Sequence, residues 1–327
     1  MLDVEKPVIQ AVGLTRKFRK LIAVDNLDLG VQRGEIFGLV GPDGAGKTTT
    51  IRMLAAIMDP TAGRATVAGY DTVRQAEAIK QRIGYMAQQF NLYGDLNVRE
   101  NLDFFADIFG VRGHARKERI NQLLRFARLT EFTDRRAAHL SGGMKKKLAL
   151  ACSLIHQPEI LYLDEPTTGV DPVSRREFWD ILSDLHIQGV TIFVSTPYMD
   201  EAERCSRVGL MYRSRLIVCD TPAHVKGMVK GELIEVRPVA EERGVGLMRR
   251  AEAAVAALPG VLEVQTYGDL LHIFVDEAEP RIPQISDALA VHSIQAEDMR
   301  RHHARMEEAF ISLIRRQQQR RLELDGS

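Results

Sequence analysis

The sequence predicts an α/β fold over residues 1–220, a mostly parallel sheet covered by helices, followed by a smaller α+β domain over residues 221–327. Three observations carry this. Apolar β-type runs such as GEIFGLV, EILYLD and VTIFVS alternate with amphipathic helical stretches. Strand signals vanish between Asn97 and Ile155, so an all-helical insertion, about residues 97–156, sits inside the α/β part. Beyond Asp220, Thr221 and Pro222 the alternation gives way to shorter strands and a hairpin.

The elements follow in chain order. Ile36–Val40 reads as a buried strand running into GPDGAGKT, residues 41–48, and then into the helical TTIRMLAAI. Asn97 with Glu100 makes a capping box, and Leu102, Phe105, Ile108 and Phe109 give the helix behind it an apolar stripe. ILYLDEP, residues 160–166, is a second buried strand, and IFVSTPYMDEAE, residues 192–203, is a third whose apolar part stops at Ser195. GELIEVRPV then reads as a strand, and Leu247, Ala251, Val255 and Leu258 form a helix face ending at Pro259 and Gly260. VLEVQTY and LLHIFV flank Gly268 and Asp269 as a hairpin. A short helix around Ile285 and Leu289, a strand near SIQAED and a last helix with Met306, Phe310, Leu313 and Ile314 complete a βαββαβ order plus one helix, reminiscent of a ferredoxin-like unit. The final IRRQQQRRLELDGS is polar and expected to be a solvated, frayed end.

Composition narrows the function classes. The chain has 327 residues with 44 Lys plus Arg against 44 Asp plus Glu, a formal net charge of +0, so no overall field draws it to nucleic acid or anionic lipid. Three well-separated cysteines, Cys152, Cys205 and Cys219, have no metal-ligand spacing and are expected to be small core residues in a reducing compartment. The opening MLDVEKPVIQ lacks the basic-then-apolar pattern of a signal peptide, and no apolar run reaches about 18 residues. Any bilayer span is expected from a partner.

Two stretches carry chemistry by residue type alone. In GPDGAGKT, following a strand and opening a helix, Gly41, Gly44 and Gly46 let the backbone turn its N–H groups toward phosphate oxygens, and the helix amino terminus adds partial positive charge. Lys47 is placed to reach the outer phosphates and Thr48 to put its hydroxyl on Mg²⁺; Pro42, Asp43, Ala45 and Thr49 complete the expected ATP cradle. In ILYLDEP the strand delivers adjacent carboxylates that project to opposite sides, so they have separate work: Asp164 on Mg²⁺, Glu165 on the water attacking the γ-phosphate. A third stretch, LSGGM at residues 140–144, is a second serine-and-glycine cradle at a helix amino terminus, although one nucleotide needs only one.

That combination, a phosphate-binding loop, then LSGG, then a strand ending in DE, resembles the nucleotide-binding domain of ATP-binding-cassette (ABC) proteins over about residues 7–220. The resemblance implies an ABC-type P-loop NTPase with a helical subdomain, two domains pairing head to tail. Ser141, Gly142, Gly143 and Asp171 of one copy then face the nucleotide held by the other. It also implies that Phe18 stacks on adenine and that Gln88 touches Mg²⁺ and the attacking water. GPDGAGKTT, NLYGDLNVREN, LSGGMKKKLALAC and LDEPTTGVDPVSRREFW resemble the ATPase subunits of ABC-2-type exporters. This implies an integral membrane permease as partner, a second ABC ATPase domain as mate, no nucleic acid, and a peripheral position on the cytoplasmic membrane face. The stretch from Gln88 to Phe109 is expected to dock the permease.

Two positions depart from the family pattern. Pro197 stands where a histidine usually contacts the γ-phosphate, and proline has neither a side-chain donor nor an N–H. Three readings stay open: slow hydrolysis by Glu165 and Gln88 alone, replacement of the contact by Thr196 or Tyr198, or ATP-driven closure with little turnover. Asp43 stands where asparagine is usual and is expected to face away from phosphate, onto backbone N–H groups or the opposing subunit. Rival functions are a regulatory ATP-binding subunit and a soluble ABC ATPase outside transport. His302 and His303 are expected as neighbours on a helix surface, and Lys145, Lys146 and Lys147 as a solvated helix face.

Overall fold

The computed structural model describes residues 6–89, 92–240 and 246–325. The predicted readings of residues 1–5, of residues 90 and 91 in the docking stretch, and of residues 326 and 327 lie outside the described residues. The chain divides into two compact units, Met1–Thr221 and Pro222–Ser327.

The first unit holds two sheets. In the larger, β3 (Ile36–Val40), β6 (Ile83–Met86), β7 (Ile160–Asp164), β8 (Thr191–Thr196), β9 (Arg207–Tyr212) and β10 (Arg215–Asp220) lie in the order β10-β9-β3-β8-β7-β6. All neighbours are parallel except β9 and β10. Every residue of β3, β7 and β8 is buried, which is why these strands read as unbroken apolar runs: helices cover both faces. The smaller sheet, β1 (Ile9–Phe18), β2 (Leu21–Val31), β4 (Ala62–Val67) and β5 (Tyr70–Asp71), is antiparallel in the order β2-β1-β4-β5. Periodicity did not predict it, because its strands alternate buried residues with charged ones on a solvated face and carry register shifts.

Helix α1 (Lys47–Leu54) packs between the two sheets, and its Ile51, Met53 and Leu54 are fully buried among Leu14, Val24, Tyr162 and Phe193. Burying each of the three is worth about 1.5–3 kcal/mol, so the glycine-rich loop before α1 is anchored at its helical end. Helix α2 (Ala76–Lys80) precedes β6. The insertion is helical: α3 (Val98–Ile108), α4 (Gly113–Phe126) and α5 (Gly142–Ser153). Asn97 caps α3 with both capping-box bonds to Glu100 in place, at 2.8 and 2.7 Å. Only part of the predicted stripe is core: Leu102 is buried, but Ile108 is 58% exposed and, with Phe105 and Phe109, edges an open groove. Helices α6 (Pro172–Ile187) and α7 (Met199–Ala202) follow β7 and β8.

The second unit begins with α8 (Pro222–Gly227) and continues β11 (Glu232–Val239), α9 (Leu247–Ala256), β12 (Val261–Tyr267), β13 (Leu270–Val275), α10 (Ala278–Val291), β14 (Gln295–His302) and α11 (Met306–Asp325). Its antiparallel sheet has the order β12-β13-β11-β14, the ferredoxin-like arrangement. Two expectations need correction here. His302 closes strand β14 rather than sitting on a helix. The last helix does not fray at Ile314 but runs to Asp325, because Gln, Arg, Leu and Glu all favour helix and no Gly or Pro interrupts them. Its first arginines are also not free of the fold: Arg315 donates to Glu263 and Val264, and Arg316 to the Met228 carbonyl.

One face of this sheet meets α11 through polar groups. His272 lies between Glu308, 3.1 Å from Nδ1, and Glu235, 3.4 Å from Nε2, and Arg300 holds Glu235 from the other side at 2.8 Å. Arg300 keeps the Glu235 carboxyl below its usual range against the opposing effect of burial. Burial pushes the Glu308 carboxyl up, but His272 and two backbone N–H groups outweigh it and leave it lowered. Carboxyls depressed in the folded state stabilise it above their unfolded pKa, near 4.5, and that stabilisation is lost as pH falls through the lower folded values. Amide protection in α11, relative to the intrinsic exchange rate at each pH, is therefore expected to fall between about pH 5 and pH 3, more steeply in the native chain than in Glu308→Gln. Equal slopes in the two would contradict this account.

Candidate functional site

The loop between β3 and α1 is shaped by its glycines. A Cβ at Gly46, whose φ is 107°, would stand 2.3 Å from the Ala23 carbonyl oxygen, and one at Gly41 would stand 2.3 Å from that of Met211. Only glycine lets the loop lie against these backbones. Lys47 is 3% exposed, and its ammonium donates to the carbonyls of Gly41 at 2.8 Å and Pro42 at 3.1 Å while pairing with Glu165 Oε1 at 3.1 Å. Ala45 is buried under the loop. A cleft of about 380 Å³ opens above it, lined by Phe18, Asp43, Gly44, Gly46, Lys47, Thr48, Thr49, Gln88 and Glu165. Leu21, Ile22, Ala23 and Ser214 line it too, four residues not predicted from the sequence; only spatial proximity identifies them. Phe18 is 39% exposed, with the Arg16 guanidinium 4.7 Å from its ring centroid.

Asp164 and Glu165 have different partners, but not through the strand alternation expected: the strand ends at Asp164, and Glu165 is turned by left-handed backbone. Asp164 is fully buried; Oδ1 accepts from Thr48 at 3.0 Å and from Ser195 at 2.7 Å, while Oδ2 is buried with no partner. An orphaned carboxylate oxygen costs roughly 1–3 kcal/mol, and one beside a threonine hydroxyl forms a hard-oxygen pair suited to Mg²⁺. Glu165 has φ of 48°, left-handed backbone that strains a non-glycine residue by about 1–3 kcal/mol. The surroundings hold it there: its N–H donates to both the hydroxyl and the carbonyl of Ser195, at 3.0 and 3.1 Å. Its Oε2 accepts from Gln88 Nε2 at 2.8 Å. Ser195 is thus a site residue the sequence offered only as the end of an apolar run.

Asp43 is 93% exposed and 3.9 Å from the Lys47 ammonium, so the expected contact with backbone N–H groups is replaced by a loose ionic one. Thr196 does not face the cleft. It is fully buried, donates to Glu201 at 2.7 Å and accepts from the Tyr198 N–H at 3.1 Å. Glu201, 1% exposed, also accepts from Thr167 at 2.6 Å and Arg175 at 3.2 Å, and Arg175 lies 4.2 Å over the Tyr198 ring. Of the two candidate substitutes for the missing histidine, Thr196 is therefore committed to this clamp, and the Tyr198 ring is packed under Arg175.

Ser141, Gly142, Gly143 and Asp171 lie apart from the cleft of their own chain. Ser141 caps α5, accepting from Met144 N–H at 3.3 Å, and its hydroxyl proton remains to donate. Gly142 is exposed, and a Cβ there would meet only the Gly169 carbonyl at 3.8 Å; at Gly143 a Cβ would collide with Ser174 at 2.5 Å. Asp171 caps α6, and the Ser174 N–H it accepts at 2.9 Å lowers its carboxyl pKa. The lysines after LSGG are not a solvated face: Lys146 is 3% and Lys147 8% exposed, the latter paired with Glu177. The first turns of α5 pack between α3 and α6 and turn these side chains inward, which a charge run cannot reveal.

Residues 24–168 match the ABC transporter family. The probable multidrug ABC transporter ATP-binding protein YbhF of Escherichia coli (strain K12) is 48% identical over 219 residues, which is 67% of this chain but 38% of that protein, so the chain spans well under half of its length. The daunorubicin resistance ATP-binding protein DrrA2 of Streptomyces coeruleorubidus is 35% identical over 306 residues, 93% of this chain and 94% of the relative. The dimeric structure of MJ0796, a bacterial ABC transporter cassette, is similar with a TM-score of 0.60 at 25% identity over 65% of this chain and 98% of that one.

Proposed function

The chain belongs to the ABC transporter family of ATP-binding proteins, and from that premise we propose that it is the Mg·ATP-hydrolysing subunit of a membrane exporter. One observation carries the reading: Lys47, Glu165, Gln88 and Thr48 converge on one cleft, whereas the second anion cradle at Ser141 stands outside it. A complete site then needs two copies, each lending Ser141, Gly142, Gly143 and Asp171 to the other's nucleotide, and the dimeric MJ0796 cassette supports this.

In the proposed reaction the loop backbone and Lys47 bind the outer phosphates, and Phe18 seats the adenine. Thr48, Asp164 and Gln88 would hold Mg²⁺, which supplies positive charge against the phosphate oxygens when bound. Glu165 takes a proton from the water as the water oxygen bonds to the γ-phosphorus and the bond from that phosphorus to the bridging oxygen breaks, releasing ADP and phosphate, and Gln88 orients that carboxylate and the water. Closure and reopening of the dimer move a separate permease. The groove of about 390 Å³ beside the insertion, lined by Met86, Phe105, Ile108, Phe109 and His156 among others, is the proposed seat for a short permease helix. That seat implies a peripheral position on the cytoplasmic membrane face. The multidrug and daunorubicin-resistance names of the relatives favour export.

Gly142 provides the test. An aspartate fits there within one chain, yet would oppose the mate's phosphate. With Glu165→Gln blocking turnover, MgATP is expected to double the sedimenting mass, and adding Gly142→Asp to prevent the doubling at unchanged thermal midpoint. Dimers that persist with Gly142→Asp would refute the shared site. Asp43→Asn is expected to change ATP affinity by less than about twofold, since its exposed carboxylate is screened; equilibrium binding of ATP checks it, and a larger gain would show that Asp43 repels phosphate.

Pro197 favours a slower variant of the same function. Thr196 is occupied by Glu201 and the Tyr198 ring lies under Arg175, which supports the reading that Glu165 and Gln88 handle the water without a histidine's help. Pro197→His is expected to raise turnover about tenfold, equivalent to about 1.4 kcal/mol of barrier; unchanged phosphate release would show that nothing is missing at that position.

A further inference from the structure

Lys146 sits in the first turns of α5, five residues beyond the cap Ser141, about 7.5 Å along the helix axis. It is 3% exposed. Its ammonium donates to the Gln88 carbonyl at 3.0 Å and reaches the Glu165 carbonyl at 3.5 Å. These are the backbones of the two side chains that meet at 2.8 Å to handle water. The Glu165 backbone is in left-handed conformation, held at its N–H by Ser195 and at its carbonyl by Lys146. Burial depresses the Lys146 pKa, opposed by the nearby Glu165 and Asp164 carboxylates.

The same short piece of helix therefore touches two places. Its cap is free to meet an anion outside this chain's own cleft, and its fifth residue grips the residues that activate water inside that cleft. A rigid helix moves as one body, so displacement at Ser141 carries Lys146, and with it the Gln88 and Glu165 backbones.

We propose that Lys146 is a positioning residue that couples the two ATP sites of the dimer: nucleotide engaging Ser141 at the mate's site is transmitted along α5 to the Gln88–Glu165 pair of this chain's own site. The proposal rests on the shared-site reading. It also gives Pro197 a context, because the site keeps a buried cation behind its carboxylates although a histidine is absent in front of them.

The test compares the full-length chain with Lys146→Met and Lys146→Arg, using MgATP. Native turnover is expected to rise with ATP at a Hill coefficient clearly above one. Lys146→Met is expected to lower kcat at least tenfold and bring the Hill coefficient to one. Binding of a fluorescent ATP analogue at concentrations where the chain is monomeric stays within twofold. Lys146→Arg, which keeps charge and donors, is expected to restore the Hill coefficient and at least a third of kcat. Native kcat and Hill coefficient in Lys146→Met would overturn the proposal, as would a native Hill coefficient of one. So would a Lys146→Arg chain as impaired as Lys146→Met, since that pattern means packing alone. Failure of the shared-site reading would show separately, as absence of the ATP-driven mass doubling in Glu165→Gln.

Discussion

Replacing Glu165 with glutamine is expected to cut ATP turnover by about 10²–10⁴-fold, equivalent to about 3–5 kcal/mol of barrier, with ATP still bound. The amide has nearly the carboxylate's shape, so its oxygen still accepts from Gln88 and its backbone keeps the Ser195 bonds. What it loses is the ability to take a proton from water and the charge facing Lys47 at 3.1 Å. Phosphate release under single-turnover conditions measures the effect even in a slow enzyme. A rate within threefold of native would remove Glu165 from the reaction, and negligible turnover in the native chain itself would shift the function toward a regulatory ATP-binding subunit.

Lys47→Ala is expected to act at the binding step instead. Its ammonium is buried against two loop carbonyls and one carboxylate, so the charge is already desolvated and aimed where the outer phosphates arrive. A hydrogen bond to a charged group is worth about 1.5–3 kcal/mol, so ATP affinity should fall by about 10–100-fold. The substitution also leaves Glu165, with 7% of its side chain exposed, without its nearest cation, so turnover falls further than affinity does. Equilibrium binding of ATP separates the two effects. Affinity equal to native would mean that the loop backbone holds the phosphates alone.

The contrast between these two residues and Lys146 shows where sequence reading reaches and where it stops. Lys47 and Glu165 stand out in the sequence because each follows closely on a buried strand, Lys47 after a short glycine-rich loop and Glu165 one residue past the strand end. The same holds for the capping box at Asn97 and Glu100, the hairpin at Gly268 and the βαββαβ order of the second unit. Lys146 reads as one of three lysines on a polar run, yet it is buried on residues 58 and 19 positions away in the chain. Ser195 reads as the point where an apolar run stops, yet it bonds both Asp164 and Glu165 across thirty positions.

Local patterns therefore sufficed for the succession of strand, glycine-rich loop and helix, for the strand that ends at Asp164 and for the order of elements, because periodicity, capping and loop stereochemistry act over one or two turns of chain. Packing alone settled which polar side chains are buried, that Thr196 serves Glu201 rather than the cleft, and that the serine cradle stands outside its own chain's cleft. A buried hydrogen bond depends on which distant backbone lies opposite, and that partner is chosen by how sheets and helices stack, not by the neighbours a residue has in sequence.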